Sequence, residues 1–115
     1  MHLKGANRLR ALLLAILVVL AGFSMKVLAQ GTSGSLTGEV ADPTGAVVAG
    51  ATAVLTNLGT NYSQTEKTGS TGVYLIEPVE PGSYSLAIAA PGFTKYLQTG
   101  IVIHANQHAT QDVTL

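Results

Sequence analysis

From residue 35 onward, turn residues interrupt the chain so closely that no segment shows helical periodicity of useful length. The interruptions are Asp42-Pro43-Thr44-Gly45, Asn57-Leu58-Gly59-Thr60-Asn61, Gly69-Ser70-Thr71-Gly72, Glu77-Pro78-Val79-Glu80-Pro81-Gly82, Ala90-Pro91-Gly92 and Ala105-Asn106-Gln107. Proline presets φ for a turn, and glycine and asparagine accept the positive φ that tight turns demand. Only extended segments fit between such breaks.

The intervening runs alternate with a period of two. Ser35–Ala41 sets Leu36, Gly38 and Val40 against Ser35, Thr37 and Glu39. Ala51–Asn57 sets Ala51, Ala53 and Leu55 against Thr52, Val54 and Thr56, and Ser83–Ala90 sets Tyr84, Leu86, Ile88 and Ala90 against small residues. Tyr62–Thr68 is polar throughout and suits an exposed edge. Val73–Glu77 turns Tyr74 and Ile76 to one face, and the two prolines that follow are expected to break the ladder. Phe93 is expected to fold back onto the core. Tyr96–His104 reads as a long strand with an irregularity at Thr99-Gly100, and Ala109–Leu115 closes the domain with Val113 and Leu115 inward. Seven short strands in this pattern predict an all-β, antiparallel β-sandwich with one buried and one wet face per sheet.

The first 29 residues differ in kind. A basic stretch, Met1–Arg10, precedes the apolar run Ala11–Phe23, and Val27-Leu28-Ala29 places a small residue before Gln30. These are the parts of a helical signal peptide, with cleavage expected between Ala29 and Gln30. The competing reading is a permanent anchor, but a spanning helix needs about 20 apolar residues and this run holds 13 with Lys26 close behind. Residues 30–34 are expected to form a flexible linker, and residues 35–115 the domain. The product is expected to be exported, to the periplasm, the outer membrane or the medium.

Removing the leader also changes the charge. Only Lys67 and Lys95 remain against Glu39, Asp42, Glu66, Glu77, Glu80 and Asp112, a net charge of −4 with histidine neutral. An acidic surface repels phosphate backbones, which argues against nucleic acid as a partner. The sequence has no cysteine. That excludes disulfides, thiolate metal sites, a thiol nucleophile and a lipid-modified N-terminal cysteine. Stability must come from the β core alone.

Several of these runs carry a resemblance. The stretch from Leu36 through Asp42-Pro43-Thr44-Gly45 to Ala51, the motifs Gly69-Ser70-Thr71-Gly72-Val73-Tyr74 and Pro81-Gly82-Ser83-Tyr84-Ser85-Leu86, then Ala90-Pro91-Gly92-Phe93 and the closing Asp112-Val113-Thr114-Leu115, resemble a carboxypeptidase regulatory-like domain across residues 35–115. The resemblance implies a transthyretin-like (prealbumin-like) sandwich, also called a carbohydrate-binding-like fold, that accompanies other domains without catalysing a reaction. In bacteria such domains commonly open TonB-dependent outer-membrane receptors. The leader and the stretch Thr99–Ile103 resemble that setting, while no plug or barrel follows Leu115. The chain is expected to be either a stand-alone domain or the front of a longer product.

No residue pattern points to an active site, and no cofactor is expected. His104 and His108 flank a turn, and two ligands without a third seldom hold a metal. Asp42 is one carboxylate where calcium takes several oxygens, so it reads as a turn residue. Glu77 and Glu80 flank Pro78-Val79 on a loop and read as solvated charges rather than an acid–base pair. There is no Gly-x-Ser-x-Gly elbow. The opening strand has Glu39 but no lysine, so the Lys–Asn isopeptide bond of related surface domains is not expected. Asn61-Tyr62-Ser63 fits a glycosylation triplet but reads as a turn. Strand parity assigns Tyr74, Tyr84 and Phe93 to the core and leaves Tyr62 and Tyr96 as a candidate surface pair for stacking on a sugar. The chain is therefore expected to be a non-enzymatic accessory domain that works with a cell-envelope partner through its edges, with Tyr62–Thr68 as the candidate contact. The alternative is a carbohydrate-binding module.

Overall fold

A computed structural model describes residues 7–15 and 31–115. The chain divides into two compact units, Met1–Gly31 and Thr32–Leu115. In the first, residues 7–15 are helical and exposed. Ala29, Gln30 and most of the apolar run lie outside the described residues. Among the described residues no helix is long and apolar enough to cross a membrane; this says nothing of a β-barrel.

The second unit is a two-sheet sandwich of eight strand segments: β1 (Gly34–Ala41), β2 (Thr52–Asn57), β3 (Ser63–Lys67), β4 (Val73–Val79), β5 (Gly82–Ala89), β6 (Tyr96–Ile103), β7 (His108–Thr110) and β8 (Val113–Thr114). One sheet runs β4-β1-β7, with β8 continuing along β1, and the other runs β3-β2-β5-β6. Period-two alternation decides what faces inward. Leu36 and Val40 of β1, Ala53 and Leu55 of β2, Tyr74 and Ile76 of β4, and Tyr84, Leu86 and Ile88 of β5 meet between the sheets with almost no exposure. Ala51, Val79, Ile103 and Val113 complete the core. Each large side chain so buried contributes roughly 1.5–3 kcal/mol over leaving it in water.

The expected linker is partly sheet. Gly34 opens β1, and the Asn106 amide donates to the Thr32 carbonyl at 2.9 Å. The prolines do not end β4 where the sequence suggested. The strand runs through the cis Glu77–Pro78 bond to Val79, which pairs with Gly34 across a register shift. Because β4 is the sheet's outermost strand, a residue without an N–H fits there. The closing segment is divided in two, and both halves pair with β1 in parallel, His108–Thr110 against Ser35–Thr37 and Val113–Thr114 against Val40–Ala41. At the division Asp112 Oδ1 accepts the Glu39 amide at 2.9 Å. Phe93 is 38% exposed, because the Ala90–Phe93 turn, closed by a bond from the Phe93 amide to the Ala90 carbonyl, carries the ring beyond the end of the sheet.

One crossbar ties the first sheet together. Tyr74 on β4 lies opposite Gly38 on β1. Its ring passes over Gly38, and its hydroxyl donates to the Gln111 carbonyl, 2.5 Å away, between β7 and β8. A Cβ on Gly38 would lie 1.9 Å from that carbonyl oxygen and 2.7 Å from Tyr74 Oη. Glycine is required here by close approach. Burial, followed by the Asp112 carboxylate and then Tyr96, pushes the Tyr74 hydroxyl well above the ordinary tyrosine range.

Candidate functional site

A concave surface lies at the end of the sandwich where the β2–β3 turn meets the end of β4 and the β4–β5 connection. Asn57 builds the turn. Its Oδ1 accepts the Gly59 and Thr60 amides at 2.8 and 3.1 Å, and its carbonyl accepts the Asn61 amide at 2.8 Å. Asn61 takes a positive φ of 60°, which asparagine tolerates. The chain then re-enters β3 with the Tyr62 ring 67% exposed.

The facing wall comes from Pro78, Glu80 and Pro81. Gln64 Nε2 donates to the Pro78 carbonyl at 2.8 Å, which links β3 to β4. Ser33 Oγ donates to Glu80 Oε1 at 2.8 Å, and the buried Tyr84 hydroxyl donates to the Glu80 carbonyl. Together these residues, with Asn57 and Thr60, line a cleft of about 540 Å³. Its flat surfaces are the rings of Tyr62, Tyr84, Pro78 and Pro81. Its polar equipment is rich in acceptors: the Glu80 carboxylate, the Gln64 amide oxygen and the hydroxyls of Thr60, Tyr62 and Tyr84. Such a site matches a ligand that donates hydrogen bonds and presents an apolar face, and it disfavours anions.

A second hollow of about 480 Å³ is lined by Ser33, Gly34, Glu77, Pro78 and His108. Ser35 sits between β4 and β7, and its Oγ lies 2.8 Å from His108 Nδ1. Ser35 is only 6% exposed. A hydroxyl so covered offers no attack path, so this contact fastens β7 to β1.

Sequence comparison bears on the same unit. Residues 35–115 match the family model of the carboxypeptidase regulatory-like domain. The chain belongs to this family. None of the curated proteins matches it. Among solved structures, this carboxypeptidase regulatory-like domain is similar to a candidate carbohydrate-binding protein from Bacteroides uniformis, at 22% identity and a TM-score of 0.60, over 73% of this chain and 41% of that one. It is also similar to the dioxygenase domain of a dioxygenase–carbohydrate-binding protein fusion from a cellulolytic Streptomyces species (12% identity, TM-score 0.53, 75% and 80% covered). A catechol 1,2-dioxygenase variant from Acinetobacter radioresistens is a third (12% identity, TM-score 0.56, 74% and 52% covered). The chain thus spans about two fifths of the first protein's length and about half of the third's. At these identities the likeness shows a shared fold. Family and fold together support a non-catalytic binding domain.

Within this carboxypeptidase regulatory-like domain, the two tyrosines read as a surface pair are far apart. Tyr62 precedes β3, at the end of the sheet where Asn57 opposes Tyr84; Tyr96 opposes Ile88 on β6, at the other end and the other edge. Strand spacing and rise put them roughly 20 Å apart. Tyr96 packs against the core and bonds Gln98 Oε1. Only Tyr62 remains a stacking candidate. Glu80 lines the first hollow and Glu77 the second. Asp42 Oδ1 accepts the Thr44 hydroxyl at 2.6 Å and the Thr44 and Ala46 amides at 2.9 and 3.0 Å. The Thr44 hydroxyl, then these amides, hold its carboxyl below the usual range, as suits a turn-closing residue. His104 and His108 are separated by their turn, and among the described residues no group of three histidine, cysteine or acidic side chains is placed to hold a metal ion. Sequence reasoning missed Glu80, Pro78 and Pro81 as cleft residues, because alternation along strands carries no signal about which loops adjoin.

Proposed function

We propose that this chain is a non-enzymatic, exported binding domain of the cell envelope that holds a glycan in the Tyr62 cleft. The observation that carries the reading is the exposed Tyr62 ring facing two prolines across a cleft rich in acceptors. A sugar ring offers both complements: an apolar C–H face for the ring and hydroxyl donors for Glu80 and Gln64. The fold it shares with a candidate carbohydrate-binding protein supports the choice. The envelope setting rests on the leader and on the resemblance to domains that open TonB-dependent outer-membrane receptors. In that setting the domain would present glycan near the receptor mouth, and the receptor would be its protein partner.

The test is retention on immobilised neutral polysaccharides, followed by titration calorimetry with the best oligosaccharide. Tyr62→Ala is expected to weaken binding about tenfold, the equivalent of roughly 1.4 kcal/mol. Glu80→Gln is expected to weaken it as well, whereas Tyr96→Ala, at the far corner, leaves affinity unchanged. Equal binding by Tyr62→Ala and wild type would reject the cleft, and failure of the wild type to retain any glycan would reject the function.

A further inference from the structure

The two hollows adjoin. Pro78 lines both. The Ser33 hydroxyl, on the wall of the second, donates to the Glu80 carboxylate, on the wall of the first, at 2.8 Å. The Pro78 ring and this hydrogen bond form a common sill between them. The segment that carries Ser33 is held on both sides: the Thr32 carbonyl accepts the Asn106 amide, and the Ser35 amide donates to the Gln107 carbonyl, each at 2.9 Å.

Strand parity sets what the second hollow offers. Val73, Leu75 and Glu77 of β4 alternate with the buried Tyr74 and Ile76, so Glu77 stands on the outer face of its sheet. On β7, Ala109 packs against the core and its neighbour His108 stands on that same outer face. Between them on β1, Ser35 pairs with His108 and engages its Nδ1. That contact leaves the His108 Nε2, which donates or accepts according to tautomer. Glu77 and His108 therefore lie on strands two spacings apart, roughly 10 Å. Gly34, on β1 between those strands, has no side chain to fill the hollow.

We infer that the second hollow is a further sugar subsite, and that the ligand is a run of several sugars crossing the Pro78 sill rather than a single sugar. This rests on the glycan reading of the Tyr62 cleft and names the length of ligand that site takes. The hydroxyls around a sugar ring both donate and accept. Glu77 accepts from them, His108 Nε2 takes either role, and Ser33, its proton given to Glu80, accepts. The Pro78 ring meets the apolar face of the ring at the crossing. The second hollow has no tyrosine, so it supplies hydrogen bonds without stacking on an aromatic side chain. It holds only a chain already anchored at Tyr62. A carboxylate on each side of the sill turns away acidic polysaccharides, which leaves neutral ones.

The test is a length series. Full-length chain is screened on cellulose, xylan, mannan and amylose, and calorimetry follows with fragments of two, four and six sugars from the polysaccharide retained best. Affinity is expected to rise about tenfold from the disaccharide to the tetrasaccharide, the scale of one or two hydrogen bonds, and to level off by the hexasaccharide. Glu77→Ala and His108→Ala are each expected to weaken tetrasaccharide binding about threefold to tenfold while leaving the disaccharide unchanged. Tyr62→Ala is expected to weaken both. Circular dichroism melting checks each fold, and Glu77→Ala decides the matter if loss of the Ser35 contact lowers the melting temperature of His108→Ala. Equal affinity for two and four sugars, or an equal loss on both fragments in Glu77→Ala, would overturn the second subsite and leave the Tyr62 cleft standing. Retention of no glycan would overturn both.

Discussion

Replacing Tyr74 with alanine is expected to leave the domain unfolded or nearly so at room temperature. The side chain is fully buried, and its hydroxyl is the donor to the Gln111 carbonyl. Truncating a buried aromatic costs about 3–5 kcal/mol, against a total of about 5–15 kcal/mol for a typical domain. A disulfide-free domain with a single small core stands near the bottom of that range. Urea denaturation followed by circular dichroism measures the loss directly. Tyr74→Phe keeps the ring and removes the bond, so it is expected to cost only about 1 kcal/mol. The same pair of proteins reads out the hydroxyl's ionisation. Its folded value is raised above the unfolded one, so the neutral form is favoured by folding. The associated stability is fully present below the ordinary tyrosine value of about 10 and is lost as pH climbs beyond it. Wild type is therefore expected to lose more stability than Tyr74→Phe as pH is raised from about 9 to about 11, across that value. Parallel curves for the two proteins would mean that the hydroxyl is not held as described.

The second large effect is expected from the smallest change. Gly38→Ala adds one methyl group, and it would stand 1.9 Å from the Gln111 carbonyl oxygen. That obstacle is backbone, so it cannot swing aside as a flexible side chain does. Either β1 and the closing segment separate or the Tyr74 crossbar is displaced. The expected cost is about 3 kcal/mol, at the upper end for overpacking. Amide exchange would locate it, with protection lost first at the Gln111 and Leu115 amides, which donate to Thr37 and Ala41. Tyr74→Phe in the Gly38→Ala background is expected to recover part of the loss, because the hydroxyl is the second obstacle. A Gly38→Ala denaturation midpoint equal to that of wild type would rule out the close approach.

Much of this architecture is legible in the residues. Alternation in β2 and β5 assigns Ala53, Leu55, Tyr84, Leu86 and Ile88 to the core, where the structure has them. The irregularity expected at Thr99-Gly100 is there as well. What escaped was whatever depends on neighbours rather than on period. The parallel course of the closing segment leaves no mark in its own composition, since a short strand reads alike in either direction. Pro78 is compatible with β4 only because β4 is outermost, a fact of sheet order. Phe93 follows a turn, and alternation cannot be carried through a turn. The candidate cleft was half visible. Tyr62 stood out as an aromatic on a polar run, but the wall opposite comes from the end of β4 and the connection after it, 16 to 19 residues further along.

The order in which strands meet has a consequence for the route out of the cell. The first strand is held on one side by the last two, and Ser35 and His108, which touch, are 73 residues apart in sequence. Contacts between such distant positions form slowly, because the entropy of closing the loop is lost before the contacts repay it. Nothing short of nearly the whole domain can complete that sheet. A chain bearing the export leader expected here would therefore remain threadable until its final strand had cleared the translocation channel, and would lock only on the far side.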